Sequence, residues 1–322
     1  MIMDYRLLGA FATSLVLTLF FLPRLIEALK KFRYSQRISE YSLDEYKAKK
    51  ETPTMGGISF VIIPSIVFVI FFYPQWNQQA FMILYVVASY ALIGGYDDYK
   101  IITEGKNDGL SARFKFALQA LVTLIFYLLF ASSLDSVLTI PGINLTISLG
   151  LLYPVLIFFM LNGASNGVNI TDGMDGLAGG TMVIALSAFL VIAIFSQQWI
   201  VAGFLSALLG SLLGYLRFNI YPAQIIMGDI GSLPLGAILA LVAILLKQEI
   251  LLVVIGGVFV YETLCVIIQI GSVVLFKRRV FRYTPIHYSF VLSGWKETKV
   301  VYFFWVLGLV AALSGLGLWW FL

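Results

Sequence analysis

Cysteine, histidine and charge are all scarce in this chain of 322 residues. The one cysteine, Cys265, sits in an apolar run, which excludes an internal disulfide framework and implies no redox role. There is one histidine, His287, and charged residues make up 12% of the chain against 60% hydrophobic. Soluble domains run near a quarter charged and about half apolar, so this composition excludes a soluble fold and indicates a polytopic membrane protein. No internal repeat or low-complexity tract is present, which counts against a repeat-built transporter. The first apolar run, Leu7–Leu22, lacks a strongly basic leader and a convincing cleavage site, and reads as a retained first helix. No segment is long or polar enough to fold as a soluble unit, so residues 1–322 are expected to form a single integral membrane domain.

What is present is a series of apolar runs. They fall at 5–28, 56–73, 80–96, 115–133, 149–165, 178–196, 199–216, 232–247, 250–276 and 299–321. A helix crosses the hydrocarbon with about 20 apolar residues, so the expected fold is all-α, with about ten transmembrane helices. Lys30–Lys50, Lys100–Lys115, Arg217 and Lys277–Lys299 fall in alternate loops, and of the 21 basic residues only Arg6 and Lys247 fall on the other side. The positive-inside rule makes the basic side cytoplasmic and puts both termini outside. The outer loops are short and nearly uncharged. The exception is Ser132–Ser148, where Val137-Leu-Thr-Ile and Asn144-Leu-Thr-Ile flank Pro141-Gly142 and predict a small β-hairpin on the outer face.

The acidic residues carry the chemistry. Asp97, Asp98, Asp172, Asp175 and Asp229 lie in three separate stretches, read as loops, yet all fall on the basic, cytoplasmic side. If they converge they repel, by about 4 kcal/mol for a pair roughly 4 Å apart at an effective dielectric of 20. A divalent cation with nearby lysines would offset that, and oxygen donors of this kind suit Mg²⁺.

Three motifs hold these aspartates. Gly94-Gly-Tyr-Asp-Asp-Tyr-Lys100 ends the third span, where adjacent aspartates point in different directions. One can hold a metal while the other takes a proton or hydrogen bond; a frayed helix end is the plainer alternative. Asn166–Gly180 reads as a glycine-broken turn with two asparagines and two aspartates between apolar runs. Asp175 fits an ordinary cap for a helix starting near Leu177, but the stretch is far richer in polar groups than a cap requires. Met227-Gly-Asp-Ile-Gly-Ser232 puts Asp229 at the start of the eighth span, as a cap or a metal ligand, between glycines that let backbone approach a ligand.

The remaining motifs are basic. Tyr46–Gly57 sets lysines before a Thr-Pro-Thr turn, a construction suited to presenting a lysine to phosphate as well as to marking topology. Lys277-Arg-Arg-Val-Phe-Arg-Tyr-Thr-Pro-Ile-His287 puts the single histidine in a basic loop on the same side as the aspartates. Glu262 and Gln269 lie seven apart on one face of the ninth span; an acid within a span is functional by default, or ties its helix to Gln269 or another polar neighbour. Carboxylates, a divalent metal, cations and helix starts together suit phosphoryl-group transfer onto a lipid at the cytoplasmic surface.

The segments Thr52–Gly57, Asp97-Asp98, Asn166–Ala178, Asn219–Ser232 and Pro285–Trp295 resemble the polyprenyl-phosphate N-acetylhexosamine-1-phosphate transferases over nearly the whole chain. Pro285-Ile-His287 followed by Gly294-Trp295 is similar to the muramoyl-pentapeptide branch. That resemblance implies transfer of the phospho-sugar of UDP-N-acetylmuramoyl-pentapeptide (UDP-MurNAc-pentapeptide) to undecaprenyl phosphate, giving lipid I and UMP with Mg²⁺ in peptidoglycan synthesis. It implies a bacterial plasma-membrane enzyme with the bilayer as a partner and no nucleic acid; a homodimer stays open. By motif position it makes Asp229 the magnesium ligand, Asp97 or Asp98 the group that deprotonates or positions the lipid phosphate, and His287 an essential histidine. It puts Lys49, Gly173, Met174 and Asp175 at a uridine pocket, with Asn166, Asn169, Asp172 and Asn219 around it. Thr54 is a further substrate contact, and Lys100, Arg113 and Lys115 are further phosphate contacts. Two positions depart from the family pattern: His287-Tyr288-Ser289 keeps only the first of three histidines, and Ile226 stands where a phenylalanine commonly faces the uracil.

Two other readings compete: a sister transferase using another UDP-N-acetylhexosamine, and an ion-coupled transporter. Transporters place acidic groups near mid-bilayer on broken helices, whereas these aspartates fall at span ends on one face.

Overall fold

The computed structural model describes residues 2–31, 52–104, 109–140 and 145–321. Its elements run α1 (Ile2–Lys31), α2 (Ile58–Phe72), α3 (Gln78–Glu104), α4 (Ala112–Phe130), β1 (Val137–Ile140), β2 (Leu145–Ser148), α5 (Tyr153–Thr171), α6 (Leu177–Phe195), α7 (Trp199–Asn219), α8 (Asp229–Leu245), α9 (Glu249–Ile255), α10 (Gly257–Phe276), α11 (Ile286–Leu292) and α12 (Glu297–Trp320). Among the described residues nine helices are long and apolar enough to cross a membrane. The chain is a polytopic helical membrane protein.

The tenth expected span is α8, whose 17 residues reach about 25 Å at 1.5 Å per residue, short of the ~30 Å hydrocarbon. Backbone of residues 53–57 pairs with the segment before it. Ile226 N donates to Pro53 O at 2.8 Å, while Gly56 N and Gly57 N donate to Ile226 O and Met227 O at 2.8 and 2.9 Å. These bonds satisfy irregular backbone at the end of the bundle, as burial there demands.

α7 and α8 are the core. Every residue of α8 from Gly231 to Ile244 is buried, as is most of α7. α1 and α2 pack on α7, α3 and α5 flank α8, and α6 lies between α7 and α12. The outer helices turn leucines and aromatics outward, among them Phe20, Leu92, Leu128, Leu275 and Val310, which is what lipid-facing surfaces require. The predicted hairpin is present: β1 and β2 are antiparallel, with Val137 opposite Ser148 and Ile140 opposite Leu145. The turn expected at Pro141-Gly142 lies outside the described residues.

Two helices run further than their apolar stretches. α3 continues to Glu104 and α5 to Thr171, so Asp97, Asp98, Asn166 and Asn169 are on helices and not in loops. Hydropathy falls where these polar residues begin, but they face other helices and their backbone stays hydrogen-bonded. The expected 250–276 span is two helices, α9 and α10, meeting at Gly256.

Candidate active site

At the end of the bundle where α3 leaves the membrane, α3 and α8 are in very close contact. A Cβ on Gly94 would run into the backbone of Asp229, so glycine there sets how near the two helices approach. Asp98 lies one turn further along α3. Its Oδ1 accepts from Asp229 N at 3.1 Å and its Oδ2 from Ile230 N at 3.0 Å. The carboxylate thus satisfies two of the unpaired amides at the start of α8, a cap supplied from another helix. Gly228 precedes them at φ +72°, and a Cβ there would meet both Asp98 Oδ2 and Thr54 Oγ1. Thr54 is therefore at the site, buried against the α8 start.

Lys115, in the first turns of α4, bridges two carboxylates. Its Nζ donates to Asp229 Oδ2 at 2.6 Å and lies 3.1 Å from Asp97 Oδ2. Asp97 Oδ1 accepts from Leu110 N at 2.7 Å, fixing the turn that leads into α4. Asn169 Nδ2 closes the cluster from α5, donating to Asp229 Oδ1 at 2.6 Å and to Ser232 Oγ at 2.9 Å. Asp97 and Asp98 are buried, whereas Lys115 and Asp229 keep about a fifth of their side chains exposed. The accessible face of the cluster is thus an ammonium beside a carboxylate.

One helical turn beyond Asn169, α5 ends at Asp172, its C-cap. The turn that follows is held from four sides. Gly176 N donates to Asn219 Oδ1 at 3.0 Å, and Asn219 Nδ2 to Ile225 O at 3.0 Å. Asp175 Oδ2 accepts from Ala223 N at 2.9 Å, and Asp175 N donates to Glu297 Oε1 at 3.0 Å. Trp305 Nε1 donates to Gly176 O at 3.1 Å, and Tyr288 OH to Gly173 O at 3.0 Å. Burial, with Tyr283 and then Glu297 adding to it, pushes the Tyr288 phenol well above its ordinary value, so the hydroxyl stays a donor. The N-cap of α6 is Gly176 at φ +79°, so Asp175 is a bracket to the 220–228 segment and not the cap that its position also allowed.

His287, at the start of α11, is fully buried. Its Nδ1 lies 3.0 Å from Glu262 Oε1, and a Cβ on Gly173 would collide with its Nε2. The histidine loop and the α5–α6 turn are therefore in contact, and Glu262 reaches His287 and not Gln269. Gln269 instead binds backbone of Val280 and Phe281.

The structure thus brings Asp97, Asp98, Lys115, Asn169, Asp229 and Thr54 together, with Asp172, Gly173, Asp175, Asn219 and His287 alongside. Asn169, which the resemblance puts around the uridine pocket, is bonded to Asp229 in the carboxylate cluster. Asn166 points to α4, its Nδ2 donating to Gln119 Oε1 at 2.9 Å. The Met174 side chain is buried among Leu177, Ile286, Val300 and Phe304, so only its backbone is offered to a ligand. Lys100 binds Gly109 O at 3.0 Å, in the turn that Asp97 holds, and Arg113 is exposed at the first turn of α4. Lys49 lies outside the described residues. Ser232, Glu262, Tyr288 and Glu297 were not among the expected site residues. Of these, Glu262 had the clearest signal, an acid inside an apolar span.

The family model described as glycosyl transferase family 4 matches residues 80–247, which makes this helical membrane protein a membrane-embedded transferase. The chain is 43% identical over 312 residues to the phospho-N-acetylmuramoyl-pentapeptide-transferase of Anoxybacillus flavithermus, covering 95% of this chain and 94% of that one. The Geobacillus thermodenitrificans transferase of the same name is 42% identical, covering 95% and 96%, and the Bacillus licheniformis one 39%, covering 97% and 96%. This chain belongs to the phospho-N-acetylmuramoyl-pentapeptide-transferase family.

Proposed function

We propose that this chain transfers phospho-N-acetylmuramoyl-pentapeptide from its UDP carrier to undecaprenyl phosphate in the bacterial plasma membrane, releasing UMP and forming lipid I for peptidoglycan. The observation that carries this reading is the Asp97–Lys115–Asp229 bridge beside the braced Asp172–Gly176 turn. A cation-and-carboxylate centre suits a diphosphate under attack, and a backbone-rich turn suits the nucleotide end of the donor. The site is taken to face the cytoplasm because Lys30, Lys31 and Arg217 end α1 and α7 at the same end of the bundle.

In this reading an oxygen of the lipid phosphate attacks the phosphorus that carries the sugar. The bond from that phosphorus to the bridging oxygen breaks, and UMP leaves with the electron pair. Asp97, in contact with Lys115, takes or orients the proton of the lipid phosphate. Asp98 is committed to the α8 amides and holds Asp229 in place. Lys115 offers positive charge to the transferred phosphoryl group. Direct attack needs only these groups, without a phospho-aspartate.

The residues fit a magnesium ion. Among the described residues no three His, Cys, Asp or Glu side chains converge into a ready-made metal cage. Mg²⁺, however, usually takes one or two carboxylates, completing its shell with substrate phosphates and water. The ammonium of Lys115 already marks a cation position between Asp97 and Asp229. Asp229, with Asp97 beside it, would hold the ion, which would supply charge neutralisation for the diphosphate and the leaving UMP. The test is Asp229→Ala in vesicles: it should abolish UMP release while insertion and purification stay normal, and turnover at the wild-type rate would remove Asp229 from the mechanism.

A further inference from the structure

We propose that Glu262 is a positioning residue for the reaction, holding His287 as the Nδ1–H tautomer so that bare Nε2 faces the α5–α6 turn at Gly173. Both side chains are fully buried. Glu262 sits in the second turn of α10, within the apolar run 250–276, and nothing in the apolar packing of that helix calls for an acid. Its carboxylate instead collects donors from a single place. Oε2 accepts from Ile286 N at 2.8 Å, and Oε1 from His287 N at 3.3 Å and from the ring Nδ1 at 3.0 Å. A carboxylate flanked only by donors accepts and does not donate, so the proton of the ring belongs on Nδ1.

The other ring nitrogen is the informative one. His287 Nε2 is buried and has no hydrogen-bond partner among the described residues. Buried imidazole nitrogens are normally paired, and this one is aimed at Gly173, where a methyl group would strike it. Tyr288, the next residue, holds the carbonyl of that same glycine. The ring therefore presents a lone pair at the α5–α6 turn, where the nucleotide end of the donor is placed. There it can accept a proton or hydrogen bond from a hydroxyl of the bound donor. The backbone bonds to Ile286 and His287 fix the ring's position, and the Nδ1 bond fixes its chemistry. The same carboxylate does both.

This inference rests on the transferase reading, but its first test does not. His287 is the only histidine, so the full chain, labelled with [¹⁵N₂]imidazole histidine, purified without a histidine tag and placed in lipid nanodiscs, gives one imidazole spectrum. The expected spectrum is a neutral ring with Nδ1 protonated and Nε2 bare. A ring protonated on Nε2, alone or together with Nδ1, would overturn the proposal while leaving the transferase reading standing. A wild-type chain that releases no UMP would defeat that reading and leave the ring's state measurable. The variant Glu262→Met keeps the side chain's length and removes the acceptor. It should lose the single tautomer and lower UMP release by about 10- to 100-fold. A folded variant that keeps either the wild-type tautomer or the wild-type turnover overturns the proposal; if the variant does not fold, the wild-type spectrum decides.

Discussion

Replacing Lys115 with methionine keeps an unbranched apolar stem and deletes the charge that, among the described residues, bridges Asp97 and Asp229. The ammonium sits 3.1 and 2.6 Å from their Oδ2 atoms, so without it two carboxylates face one another across roughly 5 Å, repelling by about 3 kcal/mol at an effective dielectric of 20. The same charge is lost to the transferred phosphoryl group. At 1.36 kcal/mol per tenfold in rate, kcat/KM should fall by about 100-fold. The assay is UMP release by the purified variant in vesicles, titrated with Mg²⁺. Turnover and metal dependence should move in opposite directions, because the uncompensated carboxylates attract a divalent ion more strongly while the phosphate loses its cation. Half-saturation by Mg²⁺ should thus shift to lower concentration as the maximal rate drops. Wild-type turnover with an unchanged half-saturation point would refute the bridging role of Lys115.

Further outcomes follow from the same contacts. Gly94→Ala forces α3 away from the α8 start, at a cost of about 1–3 kcal/mol; thermal unfolding should show that modest loss while UMP release falls much further, because Asp229 moves with its backbone. Tyr288→Phe removes the bond to Gly173 O, about 0.5–1.5 kcal/mol, so the KM for the UDP donor should rise about 2- to 10-fold with kcat nearly unchanged in steady-state kinetics. Stripping divalent ions with a chelator should stop UMP release and Mg²⁺ should restore it; turnover that survives chelation would contradict the role given to Asp229.

Much of this molecule is legible in its residues because bilayer length and loop charge are strong constraints. The spans and the gathering of Asp97, Asp98 and Asp229 at one end follow from them, and the hairpin from the two short strand patterns flanking Pro141-Gly142. What was hidden depends on direction and on partners far away in the chain. Asp97 and Asn169 read as loop residues because polarity ends a hydropathy run, yet α3 and α5 carry on beneath them. Lys115 stands beside Lys100 and Arg113 as one phosphate contact among several, and only the packing of α4 against α3 and α5 brings it to Asp97 and Asp229 as a bridge. Met174 sits inside a polar motif, but no local pattern tells whether a motif offers a side chain or its backbone. Glu262 announced itself as a costly acid in a span. Its partner, His287, comes from a different element and could not be read from α10 alone.

The most direct measurement of the central claim is the lipid product itself. Purified chain in vesicles with undecaprenyl phosphate and Mg²⁺ would be given UDP-N-acetylmuramoyl-pentapeptide or UDP-N-acetylglucosamine, and UMP and the lipid-linked product would be measured. The account predicts lipid I and an equal amount of UMP from the muramoyl-pentapeptide donor, and no product from UDP-N-acetylglucosamine. Product from UDP-N-acetylglucosamine alone, or no UMP from either donor, would contradict it.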